Sequence, residues 1–346
     1  MTSAGARISA YPWPHGWSVV LPVRPAQIIV WALALVILLV DRDLTIVLLI
    51  AIVVGTTSVR VAGRYLADWA LVWVRYRLLR HADRRLGHDP LLVLVPGFRL
   101  RQHHDRGGNS FGIAGIGDGW TAVLRLTAAG EPDLTALAGV LRAACDNADI
   151  PLAGAQLLVR TEGTQRVYLV AVRYRPAEAP LAALARGAGE LGEHRAIIRA
   201  ALGVAGTLAE AGITATPLEA AELAAELRET LGVKGDLLAR SHRTIGVTDS
   251  WRSWSAAGTT QACFTPKASL ESAFSTFADA ASFTVASYQL SRTHLGHLRE
   301  DVTVRAVKYQ GMRRPPRAED LGIPAIPLYG RQEAAVRQTL PLAMAR

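Results

Sequence analysis

Three short patterns contain residue types that could do chemistry: FGIAGIGDGW (111–120), HLGH (294–297) and TDSW (248–251). A phosphate-binding loop needs a Lys-Ser or Lys-Thr pair and a helix after its glycines. Neither follows the first pattern, so it predicts a hairpin turn. Gly296 separates the two histidines and no carboxylate pair accompanies them, which indicates a loop rather than a metal site. Ser250 has no histidine placed to activate its hydroxyl, so the last pattern predicts a strand whose tryptophans pack in a core.

The other histidines and the cysteines give no stronger signal for a reaction. His103 and His104 are adjacent, so on a strand they point to opposite faces and cannot chelate one ion together. We interpret them as exposed loop histidines. Cys145 and Cys263 are the only cysteines, lie in apolar surroundings and predict buried thiols. The sequence therefore predicts no catalytic residue, no cofactor and no metal ion.

Two apolar runs near the N-terminus indicate whether the chain is anchored in a membrane. Residues 26–40 and 44–59 are separated by three residues, DRD, which carry every charge between Pro25 and Arg60. A helix at the surface of a soluble core needs polar residues about every third position, and neither run supplies them. With help from their flanks, both runs approach the ~30 Å hydrocarbon core of a bilayer. The sequence therefore predicts a transmembrane hairpin over 26–62. The alternative is a buried helical hairpin in a soluble domain.

Arginines flank this hairpin on both outer sides. Arg7 and Arg24 precede it and a series from Arg60 to Arg85 follows it. This distribution predicts that both termini lie in the cytoplasm. The predicted divisions are an N-terminal cytoplasmic segment (1–25), the hairpin (26–62), a juxtamembrane amphipathic helix (63–86), a linker with a candidate strand (87–109) and a cytoplasmic α+β domain (110–346).

The charge balance suggests a partner class. The net charge is +9 and nearly all basic residues are arginines, many of them just after the second apolar run. Anionic lipid at the inner leaflet is the simplest partner for such a cluster. A nucleic-acid-binding protein would show basic residues interleaved with exposed aromatics in a known module, and none is present. We predict no nucleic-acid partner.

An aromatic stripe follows the hairpin. Apolar residues recur at spacings of three and four between Gly63 and Arg85, which predicts one helix. The four aromatic members, which we select as interface residues, are Tyr65, Trp69, Trp73 and Tyr76. The stripe could face lipid headgroups, a protein partner or the chain's own domain, and the spacing does not separate these alternatives.

The remaining chain predicts two similar units, each a hairpin, a helix and a second hairpin. The first has strands near 110–115, 120–126, 156–160 and 166–174 around a helix at 133–147. The second has strands near 244–247, 250–255, 260–264, 283–290 and 302–309 around a helix at 268–278. Alanine-rich helices lie between the units. Paired strands with interposed helices predict an α+β fold, and we expect a mixed sheet.

Three segments together resemble a known family: GRYLADWALVWVRYRLLRHADRR (63–85), FGIAGIGDGWTAVLRL (111–126) and LYGRQ (328–332). With the apolar hairpin before them, they are similar to EccE, a membrane component of the actinobacterial type VII (ESX) secretion system. The resemblance implies a non-catalytic structural subunit that assembles or stabilises the export channel. It also implies a multi-pass protein of the bacterial inner membrane, in a hetero-oligomer with the other membrane subunits of the secretion complex.

Two other functions stay open at this point. A membrane-tethered, transferase-like enzyme would need carboxylates that converge on a pocket of the cytoplasmic body. A lipid sensor would bind anionic membranes through the arginines after the hairpin, with a steep salt dependence.

Overall fold

The computed structural model describes residues 25–40, 43–61, 64–79, 84–87, 89–105, 108–128, 130–233, 245–276, 281–293, 296–309 and 314–344. The chain divides into two compact units, Met1–Leu71 and Val72–Arg346. Of the predicted N-terminal segment 1–25, all but Pro25 lies outside the described residues, and so does His294.

The first unit is built on two apolar helices. Helix α1 spans Pro25–Val40 and helix α2 spans Leu44–Ser58. Near the start of α1, Gln27 donates from Nε2 to the carbonyl oxygen of Thr57 at 2.6 Å. Trp31 donates from Nε1 to the hydroxyl of the same threonine at 3.2 Å. Because the start of one helix meets the end of the other, the pair is antiparallel. Large apolar side chains are exposed on both helices.

No helix in the described part of the chain combines the length and the apolarity that crossing a membrane requires. The predicted transmembrane hairpin over 26–62 is therefore wrong. So is the predicted multi-pass location in the inner membrane with both termini in the cytoplasm. The two helices contain 16 and 15 residues, which at ~1.5 Å per residue span about 24 and 22 Å against a core of ~30 Å.

The conformation of the chain after α2 explains why this helix ends at Ser58. Val59 is extended, with φ −74° and ψ 130°, and ends α2. Two short strands follow, β1 (Arg60–Val61) and β2 (Arg64–Tyr65), which pair antiparallel. Val61, in the flank that was expected to lengthen the second run, is thus in a strand and not in a helix. Helix α3 (Leu66–Leu79) comes next, within the predicted amphipathic segment 63–86, and continues into the second unit.

The described residues of the second unit form a sheet of thirteen strands. In chain order the strands are β3 (Arg84–Gly87), β4 (Arg99–His104), β5 (Ser110–Ile116), β6 (Gly119–Thr127), β7 (Gly154–Glu162), β8 (Gln165–Tyr174), β9 (Thr214–Pro217), β10 (Ile245–Asp249), β11 (Trp254–Ala256), β12 (Thr259–Pro266), β13 (Phe283–Arg292), β14 (Leu298–Tyr309) and β15 (Ala325–Pro327). The helices are α4 (Pro90–Leu94), α5 (Leu134–Cys145), α6 (Pro180–Leu184), α7 (Gly189–Glu210), α8 (Ala220–Leu231), α9 (Leu270–Ser275) and α10 (Gln332–Gln338), with a 3-10 turn at Ala318–Leu321.

The strand order repeats. The sheet runs β3-β10-β11-β12-β14-β13-β7-β8-β6-β5-β4. Strands β4 to β8 and strands β10 to β14 therefore have the same order, and α5 and α9 occupy the same place between the third and fourth strand of each half. Strand β9 pairs antiparallel with the end of β6, and β15 pairs in the same way with the end of β12. The two halves meet where β7 pairs with β13. The predicted pattern of hairpin, helix and hairpin is thus present twice.

All strand pairs in the described sheet are antiparallel. The α+β class is confirmed, but the predicted mixed sheet is wrong. The helix in each half does return the chain so that the fourth strand runs parallel to the third. The fifth strand lies between them and pairs antiparallel with both, so no parallel pair forms.

Helices cover both faces of the sheet. On one face, Leu137 and Leu141 of α5 and Ile197 of α7 share a core with Leu124 of β6. On the other face, α8 and α10 pack in a second core that includes Val123, the neighbour of Leu124. Successive strand residues point to opposite faces, so a sheet covered on both faces is apolar along its strands. Asp133 begins α5 as an N-cap, accepting the Thr135 and Ala136 N–H groups at 2.8 and 3.1 Å.

The C-terminal tail, residues 339–344, lies in the second core without regular secondary structure. The side chain of Gln156 on β7 forms hydrogen bonds with backbone groups in and next to this tail. Its Nε2 donates to the Gln338 carbonyl at 2.9 Å, and its Oε1 accepts the Leu342 and Ala343 N–H groups at 3.2 and 2.8 Å. A buried irregular segment needs such partners because its peptide groups cannot reach water.

Candidate interaction site

The second half of α3 rests on an aromatic cluster, which consists of Tyr76, Trp251 and Tyr329. The rings of Tyr76 and Trp251 are 5.3 Å apart between centroids and meet edge-on at 68°. Trp251 lies 6.3 Å from Tyr329, over which the Arg252 guanidinium sits at 5.8 Å. Ring pairs at these separations attract beyond their area burial, and the cation adds to this. The aromatic cluster therefore holds this part of the helix on the second unit.

The LYGRQ segment (328–332) packs against Trp251. The Leu328 N–H donates to the Cys263 carbonyl at 3.0 Å and the Gly330 N–H to the Trp251 carbonyl at 2.8 Å. Gly330 has φ +68°, and a Cβ there would lie 2.5 Å from the Trp251 ring. Only glycine combines this backbone conformation with so close a ring. The segment that suggested a family thus has a packing role beside the helix.

Beyond the aromatic cluster, α3 also presents exposed apolar side chains. We call Trp73, Val74 and Leu78 the exposed face of α3; they are 55%, 41% and 75% exposed. Large apolar groups that lie together at a surface mark interaction sites more often than isolated ones do. Tryptophan is also enriched among the residues that dominate binding energy. The exposed face of α3 thus consists of apolar side chains and contains no acid, base or nucleophile.

The structure separates the four predicted interface residues. Tyr65 is buried and Trp69 is partly buried in the first unit, and Tyr76 belongs to the aromatic cluster. Trp73 is exposed. Tyr65 belongs to β2, whereas Trp69, Val72 and Tyr76 follow one another in α3 at steps of three and four residues, which is one helical face. Trp73 lies beside this face, about 40° from Trp69 and 100° from Val72. The spacing predicted the helix but did not assign its faces.

Trp251 and Tyr329 were missed as members of the site. Trp254, three residues after Trp251, is fully buried in the core, as the interpretation of a packing strand predicted. The Ser250 hydroxyl donates to the Ser253 carbonyl at 2.7 Å and serves the loop between β10 and β11. A glycine in LYGRQ was the only sequence signal that another group approaches the backbone there.

The glycine-rich run is a hairpin, as predicted. Gly117 has φ +60° in the turn between β5 and β6, a conformation that favours glycine. A Cβ on Gly112 would lie 2.6 Å from the backbone of Glu219, where α8 begins. Glycine at this position lets the helix approach the sheet.

The histidines of 103–104 are on a strand and not in a loop. His103 faces the ring of His194 on α7 at 6.1 Å, whereas Nδ1 of His104 lies 3.0 Å from the Ser110 hydroxyl. His194 is buried against Trp120 at 4.4 Å, and this burial lowers its pKa. In the part of the chain that the structure describes, no group of three or more His, Cys, Asp or Glu side chains could hold a metal ion.

The prediction of buried thiols is confirmed for Cys145 and Cys263. Burial raises the pKa of each to about 12. A thiol with so high a pKa carries little thiolate near neutral pH and reacts slowly.

Two depressions lie in the surface of the described part of the second unit. The first, about 340 Å³, lies between α5 and α7, and Asp149 is the one carboxylate among its lining residues. That carboxylate pairs with Arg186 at 2.8 Å. The second lies beside the β7–β8 turn, and its one lining carboxylate, Glu131, pairs with Arg166. Neither depression has the convergent carboxylates that the transferase alternative requires.

Comparison with known families identifies part of the second unit. Residues 163–265 match the EccE family model. The family is described as "Putative type VII ESX secretion system translocon, EccE". The resemblance to EccE is thus confirmed. No curated protein matches the chain at a significant level.

The EccE match falls where the two halves of the sheet are connected. It runs from Gly163, in the turn before β8, through α6, α7, β9 and α8 to Thr265 in β12. The three segments that carried the resemblance in the sequence, 63–85, 111–126 and 328–332, all lie outside it. The family match therefore rests on a region that contributed no segment to the resemblance.

Proposed function

We propose that the chain is a non-catalytic structural subunit of a type VII secretion complex. The EccE match over 163–265 carries this proposal. Its partners are then other subunits of the same complex, in a hetero-oligomer. The expected lipid partner depended on a hairpin that crosses the membrane, so we do not retain it.

We place one contact with another subunit at the exposed face of α3. Trp73 and Leu78 offer apolar area, and the aromatic cluster beneath fixes the helix that carries them. A rigid aromatic anchor loses little conformational entropy on binding, which favours affinity. Where a tryptophan is one of the few residues that dominate an interface, its truncation to alanine costs about 2 kcal/mol or more, about thirtyfold in affinity.

The test is co-purification of the full-length protein with the other secretion subunits from cells. We expect Trp73→Ala to lose them while its folded state stays intact. Leu181→Ala is the matched control, because Leu181 is an apolar residue that is 76% exposed on a different helix, α6. Equal recovery of the partner subunits with both variants would contradict this contact. Absence of any secretion subunit from the wild-type preparation would contradict the function itself.

A further inference from the structure

Strand β4 ends the sheet opposite to β3. In the sheet as described, β4 pairs with β5 and with no second strand. An open edge presents a row of backbone N–H and C=O groups that can pair with another extended chain. This edge is independent of the exposed face of α3.

The register identifies the residues that point outward. Opposite residues of an antiparallel ladder either exchange both hydrogen bonds or both point away. Gln102 lies opposite Gly112, and the Gly112 N–H donates to the Leu218 carbonyl at 2.7 Å instead. Gln102 therefore points its own N–H and C=O outward, and by alternation Leu100 and His104 do the same.

The repeat shows what such an edge can accept. Strand β10 takes the place of β4 in the other half of the sheet, and its outer edge is covered by β3, which pairs antiparallel from Ile245↔Gly87 to Thr248↔Arg84. The added strand is basic, and its Arg85 pairs with the buried Glu333 at 3.4 Å. One half of the fold thus already carries an extra strand of complementary charge at this position.

The β4 edge is itself basic. Arg99, Arg101 and His103 share the face of the sheet toward α7, where Arg101 is 3.5 Å from Glu190 and is still 55% exposed. Side chains directly opposite on neighbouring strands lie about 4.5–5.5 Å apart, so carboxylates on an added strand would meet these cations. A second β4 from another copy would instead bring arginine against cationic side chains.

We propose that the outer edge of β4 binds an extended segment of a partner protein that carries carboxylates at alternate residues. The segment pairs antiparallel with the outward groups of Leu100, Gln102 and His104. Its carboxylates lie over Arg99, Arg101 and His103. The geometry copies that of β3 on β10, with the two charges exchanged.

The test uses the full-length protein and a fluorescent peptide, acetyl-EVETEV-amide, with acetyl-KVKTKV-amide as the charge control. We expect anisotropy to show saturable binding of the acidic peptide, at least tenfold tighter than the lysine peptide. Hydrogen exchange should slow in the segment 99–104 when the acidic peptide is added. Equal binding of both peptides, or unchanged exchange in this segment, would overturn the proposal.

Two variants separate charge from backbone pairing. Arg101→Glu should weaken the acidic peptide about tenfold and tighten the lysine peptide. Gln102→Pro removes an outward N–H and should weaken binding at least tenfold, since edge strands tolerate proline where the N–H faces solvent. Gln102→Ala is its control, because both changes lose the side-chain bond to the Ala220 N–H at 2.7 Å. Equal binding by the two Gln102 variants contradicts strand addition. If the wild-type protein forms a dimer and Gln102→Pro abolishes that dimer, the occupant of the β4 edge is a second copy of the chain. This result would overturn the proposal of an acidic partner segment.

Discussion

Replacement of Gly330 by alanine tests the packing beneath α3 most sharply. The change has two costs. Gly330 has φ +68°, where a residue with a Cβ loses about 1–2 kcal/mol. The new methyl would also lie 2.5 Å from the Trp251 ring and 3.1 Å from the Val72 side chain, and overpacking of this kind costs about 1–3 kcal/mol. We expect a total loss of about 2–5 kcal/mol.

Gly322 supplies a matched control. It has the same φ of +68°, but a Cβ there would meet no atom within 4 Å. Gly322→Ala should therefore lose only the backbone cost, about 1–2 kcal/mol. The difference between the two variants isolates the contact of the LYGRQ segment with Trp251 and Val72.

The measurement is urea unfolding of the protein, monitored by tryptophan fluorescence. The unfolding midpoints of the variants are compared with one common m-value, the slope of the free energy of unfolding against urea concentration. Gly330→Ala should unfold at lower urea than Gly322→Ala, by an amount that corresponds to about 1–3 kcal/mol. Equal midpoints for the two variants would refute the reasoning, because the ring would then have room for a methyl group.

Two further predictions concern the two cores. Gln156→Met should destabilise the protein by about 1–3 kcal/mol, because it leaves the buried Ala343 N–H without its hydrogen-bond partner and removes one of the two bonds made by the Leu342 N–H and by the Gln338 carbonyl. Exposed Gln165→Met is the control in the same urea assay, and equal effects would contradict the role of the amide. Burial lowers the His194 pKa below its usual 6.5, so the unfolded chain takes up this proton first and stability should fall as pH drops from 7.5 to 5. His194→Gln should flatten that slope, and an unchanged slope would contradict the assignment.

Local patterns predicted much of the sheet. Residues 120–126 and 166–174 are rich in apolar, aromatic and β-branched residues, and they lie within β6 and β8. The apolar spacing after Asp133 predicted α5 to within two residues at each end. These elements are specified by their own residues, because alternation, capping and turn glycines act over a few positions.

Long-range order could not be predicted in the same way. Nothing local in 165–174 shows that β8 inserts between β6 and β7, which is why a mixed sheet was expected. The apolar composition of 26–40 and 44–59 predicted two helices but not how long they are. The second helix ends where the backbone becomes extended at Val59. Spacing in α3 likewise predicted a helix and left open which aromatic residue is exposed.

One signal of the repeat was present and missed. The tetrapeptides ATPL (215–218) and AIPL (325–328) stand at the ends of β9 and β15. In each, the leucine N–H donates at 3.0 Å to the corresponding strand, to Val123 in one half and to Cys263 in the other. A comparison of the chain with itself would have placed both strands before the structure did.

We propose that this chain is a subunit of a type VII secretion complex and binds another subunit through the exposed face of α3. Photo-crosslinking in cells can decide this, with p-benzoylphenylalanine placed at Trp73 and, as control, at Leu181, followed by mass spectrometry of the products. We expect a crosslink from position 73 to another secretion subunit that position 181 does not form. The same product from both positions, or products at position 73 without any secretion subunit, would contradict it.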